Sequence, residues 1–313
     1  MARHNEVTLY GQVCKAPILI RENNDPRGAL LRVLSQVMVM RGIRDFGAKD
    51  QRMRLDELIV MSGNQRIMGF MKDWRLGDIV SLRGALITND FDKACTCSVC
   101  GHTQLYKGHA TYVYPIYVRL MAQGYTQEQG LIELKQNAEV SNRITIIGKA
   151  CDKPKIHAHE KSGTNIASYV VDIERKYRVR EDIESNRHDF PVVKSYGEIA
   201  LNDYLAIEAG GMVFIDGQLQ QRTYSRKFIC ESCGSEIIKA DDGIVEIVPY
   251  STEYLLGCHT MDEVQKMRED MEEKKQQDTL RELFGDGPGD TEEDLRDTAA
   301  AFSSTNKSEE EED

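Results

Sequence analysis

Eight cysteines among 313 residues are the side chains with the plainest chemical potential in this chain. Four of them form two Cys-x-x-Cys-Gly knuckles, Cys97 and Cys100 in "CSVCG" and Cys230 and Cys233 in "CESCG". Such a knuckle is half of a thiolate zinc site, which needs four ligands in tetrahedral array. Three chemistries are open. One structural Zn(2+) can be shared by Cys97, Cys100, Cys230 and Cys233. Each knuckle can instead hold its own metal, with Cys95 and His102 or His109 completing the first; the second has no third ligand nearby. Or the pairs are a redox switch or remnants, without metal. Cys14 and Cys151 follow glycine-containing strand starts and read as buried small apolar residues. Cys258 and His259 carry no clear signal, and His157 and His159 read as surface residues and not as a metal site. There is no phosphate-binding glycine loop, no His-Glu-x-x-His and no acid cluster suited to a nuclease. The inventory points to a binding protein, not an enzyme.

The elements that must position the knuckles come in two copies. "NEVTLYGQVCKAP" (5–17) matches "NRITIIGKACDKP" (142–154), and "LGDIVSLRGAL" (76–86) matches "AGGMVFIDGQL" (209–219). The second match has an offset of 133 residues. Cys97, Cys100 and Gly101 fall on Cys230, Cys233 and Gly234 at that same offset. The knuckles therefore occupy equivalent places in a duplicated domain, which favours the shared site.

Each copy reads as all-β. Short alternating or β-branched runs such as "VTLYGQV", "DELIVM", "DIVSLRGAL" and "YVYPIYV" are separated by Gly, Asn or Asp turns. "EIALNDYLAIEAG" has helical spacing and a glycine stop at Gly210. Five strands with a short helix between the third and fourth is the layout of an OB-fold barrel. The expected organisation is a first barrel at 1–120, a linker at 121–141 and a second barrel at 142–258. A charged helical segment at 259–284 and a disordered acidic tail at 285–313 follow. Each knuckle sits in the hairpin between strands four and five.

The net charge of −11 is unevenly placed. Residues 262–313 hold 19 acidic and 7 basic side chains, so the body before them is close to neutral. The N-terminus lacks an apolar signal region and no run is long enough to span a membrane. A cytoplasmic protein is expected, in which cysteines stay reduced or bind metal.

The second copy resembles the bacterial single-stranded DNA-binding protein family. The resemblance rests on "MVFIDGQLQQRTY", on "DFPVVKSYGEIALNDYLAIEAGG" before it, and on the opening "NRITIIGKACDKP". It implies base stacking on Tyr177, Phe190, Tyr196 and Tyr224. Arg175, Lys176, Arg178, Lys194, Arg222 and Arg226 are interleaved with these aromatics, as a groove following phosphates requires. The first copy keeps Phe91 opposite Tyr224 but has approximately Asp56 and Ser62 where the second has Phe190 and Tyr196. Arg41, Arg44, Lys49, Arg52 and Arg54 crowd its loop between strands two and three. It is expected to bind more weakly, through phosphates, or to serve as a structural partner. The resemblance further implies a homodimer with four barrels, a nucleoid or replication-associated location, and an acidic tail that meets replication and repair proteins. This tail ends in Glu-Glu-Glu-Glu-Asp, without the family's terminal Pro-Phe; Phe302 is its nearest aromatic. The expected function is sequence-independent coating of single-stranded DNA during replication, recombination or repair. The rival reading is an OB-fold interaction scaffold or recombination mediator stabilised by structural zinc.

Overall fold

The computed structural model describes residues 4–41, 54–160, 162–175 and 187–284. The first copy comprises β1 (His4–Arg21), β2 (Leu30–Arg41), β3 (Arg54–Ser62), α1 (Gln65–Met71), β4 (Ile79–Thr96) and β5 (Thr103–Ala122). Next come α2 (Gln127–Gln136) and α3 (Ala138–Ser141). The second copy holds β6 (Asn142–Ala150), β7 (Lys155–Ala158), β8 (Asn165–Glu174), β9 (His188–Asp189) and β10 (Val192–Tyr196). It continues with α4 (Gly197–Ala206), β11 (Met212–Ile229) and β12 (Glu236–Tyr254), and α5 (Met261–Phe284) comes last.

Both copies close into barrels by the same route. In the first, β1 pairs with β2, β2 with β3, β3 with β5, β5 with β4, and β4 returns to β1. In the second, β6, β8, β10, β12 and β11 make the same circuit. The closing contacts β3–β5 and β10–β12 are parallel, with Val60 opposite Val113 and Val193 opposite Ile247. This is the tandem OB-fold expected from the sequence, with α1 and α4 in the predicted place between third and fourth strands. β1 and β6 then pair antiparallel from His4↔Ile147 to Leu9↔Asn142, so the two barrels share one continuous sheet.

Alternation puts every second strand residue inside. Val7, Leu9, Val60 and Leu82 of the first copy and Ile144, Ile146, Val171, Ile215 and Ile247 of the second are fully or almost fully buried in one core. Each contributes roughly 1.5–3 kcal/mol relative to exposure. The repeat glycines Gly84 and Gly217 sit at irregularities in the β4–β5 and β11–β12 ladders. A Cβ on either would run into a carbonyl oxygen, of Tyr114 or Val248 respectively.

Two local expectations shift. Segment 121–141, read as a linker, is largely helical: Thr126 and Gln129 form a capping box on α2. Leu134 of α2 is buried with Met38 and Met40 of β2, and Tyr10 donates to Glu133. In the second copy, α4 stops at Ala206, before Gly210, because Ile207 turns extended and buries its side chain. The last unit, from His259, begins with a cap in which Thr260 accepts from Glu263 N–H at 3.3 Å and donates to its carboxylate at 3.0 Å. Residues 285–313, expected to be disordered, lie outside the described residues.

Candidate nucleic-acid interface and cysteine centre

β4–β5 and β11–β12 continue past their barrels as long hairpins tipped by the knuckles. Both tips fold identically. Cys97 N–H donates to His102 O and Gly101 N–H to Cys97 O; Cys230 N–H donates to Ser235 O and Gly234 N–H to Cys230 O. Gly101 (φ 73°) and Gly234 (φ 72°) occupy the left-handed region, where a side chain is strained. The hairpins meet along a small core of Cys95, Cys97, Tyr106, Cys230 and Ile237, with the Tyr106 and Phe228 rings 4.6 Å apart. Gln104 spans the pair, donating to Ile229 O and accepting from Glu231 N–H.

This packing gathers the four predicted sulfurs. Cys97 Sγ is 3.7 Å from Cys233 Sγ and Cys100 Sγ is 3.6 Å from Cys230 Sγ. All four lie within 4.8 Å of one another. Sulfurs about 2.3 Å from a zinc ion in tetrahedral array stand about 3.8 Å apart, so the cluster fits such an ion. The Ser235 hydroxyl, 2.8 Å from Cys233 Sγ and 3.3 Å from Cys97 Sγ, draws both thiols below their usual range, and thiolates are the metal-binding form. Cys95 and His109 are engaged elsewhere, Cys95 in the hairpin core and His109 with Asp90 at 2.7 Å. Cys151, expected inside, is exposed in the bend after β6, and Cys14 is only half-buried.

The structure describes three of the four aromatics expected on the second barrel. Phe190 is 43% exposed at the entry to β10, beside the His188 ring. Tyr196 ends β10 half-buried, and burial, with Glu246 nearby, pushes its hydroxyl pKa up. Tyr224 lies on β11 beneath Arg226, whose guanidinium also covers Tyr106 and Phe228 at 5.7–6.0 Å. Arg222 reaches Glu246 at 3.1 Å while remaining about half exposed. Tyr177, Lys176 and Arg178 lie outside the described residues. Phe91, 42% exposed, stands on the first hairpin with Lys93 5.3 Å from its ring.

Two predicted cations are turned inward. Arg175 is 5% exposed and pairs with buried Asp189 at 2.7 Å, so it serves the fold and is closed to phosphate. Lys194 is 9% exposed, and burial lowers its pKa despite Glu246. Arg175 also exposes a symmetry hidden from the sequence reading. Arg41 pairs with Asp56 at 2.6 Å in the first barrel just as Arg175 pairs with Asp189 in the second. Asp56 then accepts from Gln221 N–H of the second copy, and Asp189 from Thr88 N–H of the first, both at 2.8 Å. Asp56 therefore corresponds to Asp189, and Ser62 to fully buried Ser195. The true counterparts of Phe190 and Tyr196 are Glu57 and Gly63, one residue later than the sequence comparison placed them.

Two closed five-stranded barrels with paired hairpins define a tandem OB-fold protein. The profile described as "Single-strand binding protein family" matches residues 141–232. "Single-stranded DNA-binding protein 1" of Clostridium acetobutylicum is 34% identical over 101 residues, 31% of this chain and 90% of that protein. The "Single-stranded DNA-binding protein" of Staphylococcus epidermidis is 30% identical over 86 residues, 28% of this chain and 63% of the relative. The chain belongs to the single-strand binding protein family, through its second copy. In fold the likeness extends further. The crystal structure of the wild-type single-stranded DNA-binding protein from Thermus aquaticus has a TM-score of 0.53 at 11% identity, covering 83% of this chain and 97% of that one. A deletion mutant of the same protein gives 0.52 at 14% identity.

Proposed function

We propose that this chain binds single-stranded DNA with little sequence preference, covering exposed strands during replication, recombination or repair. The observation that carries the reading is the face of the second barrel, the copy that matches the family. Exposed Phe190 precedes half-buried Tyr196 of β10, and half-buried Tyr224 lies on β11 between Arg222 and Arg226. Bases stack on such rings for roughly 1–3 kcal/mol each, whatever their identity, while guanidinium groups meet phosphates. Binding alone is proposed, without catalysis.

A single Zn(2+) held by Cys97, Cys100, Cys230 and Cys233 is part of the proposal, and its support is the fit of the four sulfurs. Its contribution is structural: it ties the hairpin of one barrel to that of the other. A homodimer with four barrels, a cytoplasmic location and recruitment of repair proteins by the acidic tail rest on the family resemblance. Among the described residues no helix is long and apolar enough to cross a membrane.

Titration with an oligo-dT strand and with duplex at several salt concentrations tests the reading. Tight, salt-sensitive binding to the single strand is expected. A folded protein that ignores the single strand at low salt would be fatal to it.

A further inference from the structure

The first barrel lacks the aromatic ridge of the second, and a cleft of about 450 Å³ opens on that face. The two facts are connected. The positions holding Phe190 before β10 and Lys194 and Tyr196 within it correspond to Glu57, Met61 and Gly63 in and after β3. Two rings are thereby removed, and the floor left behind is apolar, made by Ile59, Met61 and Tyr112. Ile244 and Val245 of the second copy close one wall, so the cleft exists only because the barrels are joined. Its size and apolar lining suit a flat organic ligand held by a few polar groups.

The polar groups are specific. Glu57 on β3 is exposed and lines the cleft. β3 and β5 run parallel with Val60 opposite Val113, which brings Glu57 level with Ala110 and Thr111. Thr111 is 6% exposed, and its hydroxyl has no hydrogen-bond partner among the described residues; His109 Nε2 is in the same condition. A buried polar atom left unpaired is costly, so a ligand that pairs with it is favoured. Arg32 and Lys93 supply cations at the edge, beside exposed Phe91.

Resting on the single-strand-binding reading, we propose that this cleft takes one nucleobase carrying an exocyclic amino group next to a ring-nitrogen acceptor. Cytosine and adenine present that edge; thymine presents its reverse. The Glu57 carboxylate accepts from the amino group, as acidic side chains do from cytosine N4. Thr111 Oγ1 donates to the ring nitrogen or carbonyl beside it, while His109, whose Nδ1–H donates to Asp90, offers Nε2 as a second acceptor for the amino group. A carboxylate on a surface tracked by phosphates is otherwise repulsive, and pairing with a base amino group removes that conflict. The first barrel thus adds selectivity at one step of a path that the second barrel holds by stacking.

The test compares full-length protein on dC and dT strands of equal length at one salt concentration, by fluorescence anisotropy. Two unstacked pyrimidines differ mainly at the edge the cleft would read. Wild type is expected to favour dC by about fivefold, the low end for one good base-edge contact. Glu57→Gln and the near-isosteric Thr111→Val should each cut the dC:dT ratio at least about threefold with unchanged melting temperature. Phe190→Ala should weaken both strands alike and keep the ratio. A ratio that Glu57→Gln and Thr111→Val leave intact, in protein that still binds tightly, overturns the base-reading cleft and spares the parent reading. Loss of binding to both strands in wild type overturns the two together.

Discussion

Phe190 and Arg175 lie fifteen residues apart, within the segment that most resembles the family, yet their surroundings give them opposite roles. Phe190 keeps its ring in solvent while its N–H donates to Thr88 Oγ1. Arg175 is drawn inside by Asp189. Replacing Phe190 by Ala should therefore weaken single-strand affinity by roughly 1–3 kcal/mol, the usual contribution of one stacked base. Arg175→Ala should instead lower the melting temperature, because it strips a buried carboxylate of its charged partner. Anisotropy titration and thermal unfolding of the two variants separate these roles; an affinity loss at Arg175 without a stability loss would contradict the assignment.

At the level of elements, the barrels are fastened in three ways. β1 pairs with β6 along the shared sheet. Asn5 exchanges two hydrogen bonds with Leu86 in the first barrel, and Asn142 does the same with Leu219 in the second, bracing that seam. Asp56 and Asp189 reach across to the backbone of the sister barrel. The cysteine centre joins the hairpin tips. Asp189→Ala breaks a buried pair and should cost about 3–5 kcal/mol in denaturant unfolding, with Asp56→Ala similar by symmetry. For the cysteines, metal analysis should find one zinc per chain. Changing Cys97 and Cys100 to Ser should abolish it entirely, and so should changing Cys230 and Cys233, since two ligands hold structural zinc poorly. Retention of half the metal would mean separate sites.

Taken whole, the molecule spreads one binding task over unequal copies. The proposed dimer predicts twice 35.5 kDa in sedimentation equilibrium; a stable species of 35.5 kDa at micromolar concentration would remove the four-barrel assembly. Salt should weaken strand binding steeply, since Arg222 and Arg226 act by displacing counterions. Chelation should lower the melting temperature, because the four-sulfur site exists only in the folded chain and metal binding there is folding free energy.

The duplication, the five-strand plan of each barrel, the helix between its third and fourth strands and the equivalence of the knuckles were legible in the sequence; the helices of 121–141 were not. The legible features depend on local periodicity and on glycines that local geometry demands, as at Gly84, Gly101, Gly217 and Gly234. The fourfold sulfur cluster was one of three open readings until the hairpins were seen to meet; a distance between residues 130 or 136 positions apart is not a local property. The burial of Arg175, the counterpart of Phe190 and the cleft beside Glu57 were hidden for the same reason. Each depends on which strand edge faces which sister strand, and only the closed and joined barrels decide that.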